Sequence, residues 1–267
     1  MRILCLHGMG TNAEIFQQQT ASLRELLPAN YVFVFIDGPE TCEPAPGVSH
    51  VFPGPYRRWY STPTTTKVTA VHSYITEIID REGGFDGVMG FSQGAAVAAS
   101  MMLHDADNRL TPGEILFKFA IFMGSQMPFA KTVQHGIDTR RYFGLYGAAH
   151  QRAARPGCKT EIPPYLVADA SYLAGEADLQ GLSALARSET FYQMFHATVD
   201  EVRITVPVAH IYGRRDPWIL HSKELVALCS KITCFQMEHD GGHEIPREID
   251  DQLCDLVESV VYKAGFL

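Results

Sequence analysis

Residues 86–95 read Asp-Gly-Val-Met-Gly-Phe-Ser-Gln-Gly-Ala, an apolar strand that runs straight into Gly90-x-Ser92-x-Gly94. The stretch Ala95-Ala96-Val97-Ala98-Ala99 beyond it is helix-forming. A serine at such a strand-to-helix corner is thrust out on a tight turn, and glycines flank it because side chains there would collide. The motif is short; the strand before it and the helix after it are what make it informative. It says where to look for a base, an orienting acid and an oxyanion hole.

Outward from this corner, strand-like runs alternate with helical ones, the pattern of a largely parallel sheet covered on both faces. Residues 2–6 predict the first strand. Thr11-x-x-Glu14 reads as a capping box that starts a helix with Phe16, Leu23, Leu26 and Leu27 at helical spacing. Residues 31–36 predict a second strand, closed by Asp37-Gly38-Pro39. Five prolines between 40 and 63, with no period, predict a long loop of the kind that carries function. Val68, Val71, Ile75, Ile78 and Ile79 form a 3.6-residue stripe that stops before Gly83-Gly84. Residues 85–91 and 117–123 are the next strands. From about 126 to 205 the pattern breaks into short helical pieces, such as 165–174 and 181–198, which predicts a cap or lid insertion. Strand signals return at 206–212 and 232–238, each followed by a helix, the last over 247–262.

A chain of 267 residues with 46% hydrophobic and 19% charged residues fits one α/β domain, 1–267, better than two independent ones. A net charge of −8 argues against a nucleic-acid partner. No apolar run reaches the ~18–20 residues of a membrane span. The opening strand leaves no room for a cleaved signal peptide. Cys5, Cys42, Cys158, Cys229, Cys234 and Cys254 form no Cys-x-x-Cys pair and none adjoins a histidine in sequence. They predict free thiols, no metal site and a cytoplasmic location.

A serine hydroxyl needs an imidazole to take its proton, and the imidazole needs a carboxylate to hold its tautomer. In the α/β-hydrolase architecture these follow in the order Ser, Asp or Glu, His, each after a strand. Asp216 stands just beyond the 206–212 strand, in Gly213-Arg214-Arg215-Asp216-Pro217. His239 and His243 both follow the 232–238 strand; His243 is preferred because Gly241-Gly242 lets the backbone bend closely, with His239 the alternative. The oxyanion hole is expected from the backbone N–H of Gln93, which follows the serine, and of Met9, in the loop after the first strand. His7 precedes that loop's glycine and is read as bonding within it.

With these residues placed, a resemblance is visible. Leu6-His7-Gly8-x-Gly10 with Asn12, Asp37-Gly38-Pro39, Arg58-Trp59, Gly90-Phe91-Ser92-Gln93-Gly94, Gly213-x-x-Asp216 and Gly241-Gly242-His243-x-x-Pro246 resemble, over nearly the whole chain, the fungal serine hydrolase (FSH) family. That family includes the ovarian-cancer-associated serine hydrolases of animals. The resemblance implies Ser92, Asp216 and His243 as the triad. The opening stretch through Ile15-Phe16 is most similar to members from fungal polyketide clusters, such as the lovastatin- and citrinin-pathway hydrolases. It therefore implies cleavage of a thioester or ester, with release or editing of an acyl chain held on a synthase's acyl carrier protein; plain carboxylesterases belong to the same family. No cofactor is required. Trp59, Arg214, Arg215 and Trp218 are candidate substrate contacts. The aromatics of the loop and cap regions, including Phe52 and Phe195, are candidates to wall an acyl pocket.

Overall fold

Arg2–Leu6 (β1) pairs in parallel with Val32–Ile36 (β2) on one side and Gly87–Phe91 (β5) on the other. The computed structural model describes residues 1–108, 115–139, 192–246 and 250–266. Phe119–Met123 (β6), Val208–Gly213 (β10) and Cys234–His239 (β11) extend the sheet in the order β2-β1-β5-β6-β10-β11, every pair parallel. β5, β6 and β10 are buried along their whole length, which explains why they read as continuous apolar runs rather than alternating ones. The chain steps from β1 outward to β2, then back past β1 to β5. Strand order reverses between β1 and β5, and at such a point the loops leaving the carboxyl ends diverge and open a crevice.

The helices lie on both faces. Ile3, Cys5, Met89, Phe91, Ile121 and Ile211 point to one side, where they pack with Phe16 of Ala13–Gln19 (α1), Leu23 of Ala21–Leu26 (α2) and Leu253 and Val257 of Asp250–Lys263 (α6). Leu4, Leu6, Val88, Phe122 and Val208 point to the other. There they meet Val71 and Ile75 of Thr65–Glu82 (α3), Ala95 and Ala99 of Gln93–Asn108 (α4) and Leu225 of Ile219–Ala227 (α5). The α3 stripe is buried as its spacing predicts; Thr64 caps its start and Gly83, left-handed at φ 77°, ends it. Each such side chain contributes about 1.5–3 kcal/mol on burial. Among the described residues no helix is long and apolar enough to cross a membrane.

Several expectations are corrected. The cap of α1 is Asn12, whose side chain accepts from the Ile15 N–H at 2.7 Å. Thr11 turns the other way and donates to the Gly8 carbonyl, so the proposed capping box does not form. The expected single helix breaks at Thr20, whose hydroxyl bonds back to the Phe16 carbonyl, and Leu26 ends 52% exposed. Within the 40–63 loop, Glu40–Thr41 (β3) and Arg57–Arg58 (β4) pair antiparallel. Of the insertion expected at 126–205, residues 140–191 lie outside the described ones, including the 165–174 piece. Its ends form a small antiparallel sheet, Phe129–Ala130 (β7), Gln193–Met194 (β9) and Ile137–Asp138 (β8). The helix expected to run to 198 is therefore strand at 193–194, because its backbone pairs on both sides. Five cysteines are free thiols; Cys158 lies outside the described residues.

Candidate active site

The loops after β1, β5, β10 and β11 meet at the reversal of strand order. Ser92 follows β5 with φ 53°, a left-handed conformation that an L side chain adopts only under local constraint. The constraint is visible. Its N–H donates to the Met123 carbonyl at 2.9 Å, and its own carbonyl accepts from Ala96 as the first bond of α4. Gly90 and Gly94 have no room for a side chain: a Cβ at Gly90 falls 2.6 Å from the Ala95 nitrogen, and one at Gly94 falls 2.6 Å from the His7 carbonyl oxygen. The two glycines thus let α4 leave at a sharp angle directly over β1.

Asp216 follows β10, and its side chain is completely buried. One carboxylate oxygen accepts from the Trp218 N–H at 2.7 Å; the other lies 2.8 Å from His243 Nδ1. His243 Nε2 lies 2.9 Å from Ser92 Oγ. A carboxylate only accepts, so Nδ1 carries the imidazole proton and Nε2 offers its lone pair to the hydroxyl. The ring packs against Phe91 at 5.0 Å between centroids. Gly124, at φ 49°, leaves space for it, since a Cβ there would sit 3.2 Å from the imidazole. Three groups from distant stretches of chain are thereby joined in one hydrogen-bonded line, a geometry suited to withdrawing the serine proton.

The alternative base, His239, does not join this line. Its Nδ1 accepts from the Gly241 N–H at 3.1 Å, its Nε2 has no partner among the described residues, and burial pulls its pKa down. The loop it braces is tied to the Asp216 loop: Arg214 N–H donates to the His239 carbonyl and Arg215 N–H to that of Gly241. His7 accepts from the Gly38 N–H at Nε2 and bonds the Gly8 carbonyl through Nδ1, both at 2.8 Å. Burial lowers its pKa and keeps it neutral.

Gly8 approaches within 3.3 Å of the Ser92 Cβ, measured from its own absent Cβ position, so the loop carrying Met9 lies beside the hydroxyl. Among the described residues neither the Met9 nor the Gln93 backbone N–H has a hydrogen-bond partner. The Gln93 side chain does something the sequence did not suggest. Its Oε1 accepts from the Trp59 N–H at 2.8 Å and its Nε2 donates to the Tyr60 carbonyl at 2.9 Å, stitching the 57–60 segment to α4.

A cavity of about 1050 Å³ opens above Ser92, and Met9, Phe52, Arg214, Arg215, Trp218 and His243 are among its walls. Trp59 is not. It is fully buried and donates its indole N–H to the His7 carbonyl at 2.8 Å, so its expected role as a substrate contact is corrected to a brace beneath the site. Phe195 is likewise buried in the core.

Residues 1–252 match the model of a family described as serine hydrolase (FSH1). "Esterase FPY3" of Fusarium mangiferae is 31% identical over 99% of this chain and 98% of its own. "Hydrolase FUB4" of Fusarium oxysporum f. sp. lycopersici is 28% identical over 98% and 97%. Among solved structures, Zea mays acyl-protein thioesterase 2 superposes with a TM-score of 0.52 at 18% identity, covering 99% of this chain and 94% of its own. A Paleococcus ferrophilus monoacylglycerol lipase gives 0.53 at 14%, covering 100% and 95%. These likenesses show the α/β-hydrolase fold.

Proposed function

The chain belongs to the serine hydrolase (FSH1) family and is a hydrolase, and from that premise we propose that it cleaves acyl thioesters or esters through a covalent acyl-enzyme on Ser92. In the first step Ser92 Oγ attacks the carbonyl carbon while His243 Nε2 takes its proton. Asp216 stabilises the imidazolium, and the negative oxygen settles against the N–H groups of Met9 and Gln93. His243 then passes the proton to the departing sulfur or oxygen. In the second step His243 draws a proton from water, hydroxide adds to the acyl carbon, and Ser92 leaves with its proton restored. The acid product and free thiol or alcohol account for every atom.

The observation that carries this reading is the unbroken pair of contacts, 2.8 Å from Asp216 to His243 and 2.9 Å from His243 to Ser92. The finer proposal is that the acyl chain is a polyketide or similar chain released from a synthase carrier protein. The resemblance of the opening stretch through Ile15-Phe16 to members from fungal polyketide clusters supports it. A second reading, a general carboxylesterase, is favoured by the names of relatives such as "Esterase FPY3".

Kinetics with one acyl chain presented as a thioester and as an oxygen ester separates the two. The thioesterase reading expects a kcat/KM larger for the thioester by at least tenfold; equal or inverted values favour the carboxylesterase. Stoichiometric labelling by a fluorophosphonate without turnover of either would contradict both, in favour of a ligand sensor on a hydrolase fold.

A further inference from the structure

The cavity above Ser92 is lined by two chemically different groups of residues. Pro46, Val48, Val51 and Phe52, between β3 and β4, present hydrocarbon, and Val51 is 71% exposed. The lining also carries Arg214 and Arg215 after β10, beside Asp240 after β11. The two arginines differ. Arg214 is committed to ion pairs with Asp240 at 2.8 Å and Glu238 at 3.3 Å. Arg215 makes no ion pair among the described residues; its Nε donates to the Asp240 carbonyl at 2.6 Å. The guanidinium is thus held at its stem, while both terminal nitrogens are left without a protein partner among those residues. A planar fork in that state is preorganised for a carboxylate or phosphate.

The chemistry assigns the basic residues to one half of the substrate. An imidazole that protonates a departing heteroatom must lie beside it. The leaving group therefore sits on the His243 side, where the loop of His243 is hydrogen-bonded to that of Arg215. Resting on the reading of Ser92 and His243 given above, we infer that the preferred leaving group bears an anionic group, phosphate or carboxylate, and that Arg215 binds it. The carboxylates nearby are already engaged: Glu238 holds Arg214 and Lys223, Asp240 holds Arg214, and Glu244 accepts from the Gly242 N–H. Recognition consequently depends on the open fork of Arg215 rather than on a net positive field.

Four thioesters of one acyl chain test this, as two matched pairs: pantetheine against 4′-phosphopantetheine, and 3-mercaptopropionamide against 3-mercaptopropionate. The wild type should favour the anionic member by about tenfold in kcat/KM, the lower end for a charge-assisted hydrogen bond at an open site. Arg215→Gln should bring that ratio toward one, and Arg215→Lys should keep part of it. Preference in the phosphate pair alone identifies a phosphate-bearing carrier arm; preference in the carboxylate pair alone identifies a small acidic leaving group. A wild-type ratio of one in both pairs, or a ratio that survives Arg215→Gln, overturns the inference while leaving the hydrolase reading intact. Failure of the wild type to cleave any of the four overturns the inference and the thioesterase reading together.

Discussion

Gly213 and Gly242 face each other across the loops that bring Asp216 and His243 together, yet substitution at the two should give opposite results. A Cβ built at Gly213 falls 2.8 Å from the Gly241 carbonyl carbon, with the carbonyl oxygens of Gly241 and Gly242 closer still. Carbon atoms in contact settle at about 3.5–4.0 Å, so Gly213→Ala must push the His243 loop back by about 0.7 Å or more. The obstructing atoms are backbone and cannot rotate aside. His243 spans two contacts of 2.8 and 2.9 Å, and both lengthen when its loop retreats. A displacement approaching 1 Å at reacting groups costs about 10²-fold in rate, so kcat should fall by roughly 10- to 100-fold. A Cβ at Gly242 meets nothing closer than 3.9 Å, and Gly242→Ala should retain most of the wild-type kcat. The assay is steady-state hydrolysis of a p-nitrophenyl ester, with melting curves on the same samples to show that both variants are folded. A folded Gly213→Ala protein with wild-type kcat would refute the claim that backbone clearance sets the position of His243.

Replacing Gln93 by Leu removes both partners of the 57–60 segment and leaves the Trp59 N–H and Tyr60 carbonyl buried and unpaired. The loss should be about 2–4 kcal/mol, a drop in Tm of about 5–10 °C; an unchanged melting temperature would contradict it. A separate pH effect is expected at His135, whose pKa is raised by its bond to Asp200 and by the charge of Asp107, against the opposing effect of burial. A raised folded pKa contributes stability that is fully present below the unfolded value near 6.5 and is lost as pH rises through the folded value. His135→Gln should therefore lower Tm more at pH 5.5 than at pH 8.5, and an equal or reversed difference would count against the ion pair.

The strands and the line of Ser92, His243 and Asp216 were legible because each depends on local pattern: apolar runs make the strands, and each group stands just past one. What escaped was decided by partners far off in sequence. Thr11 and Asn12 are equally good caps on residue type, but Asn12 is also held by its own amide donating to the Pro55 carbonyl. Trp59 sits in a proline-rich loop and reads as a substrate contact, yet its indole N–H finds the His7 carbonyl 52 residues away. Gln93 was legible for its backbone only, since nothing local predicts that its side chain bridges Trp59 and Tyr60. The Arg214 and Arg215 pair read as equivalent; the register of β10 against β11 places Glu238 opposite Tyr212 and so gives one arginine its carboxylates and not the other.

The most direct test is to treat the protein with a fluorophosphonate and locate the adduct by peptide mass spectrometry. One phosphonyl group per chain, on the peptide containing Ser92, absent in Ser92→Ala and formed far more slowly in His243→Ala, is the predicted result. An adduct on another serine, or labelling of Ser92 at the same rate without His243, would contradict the account.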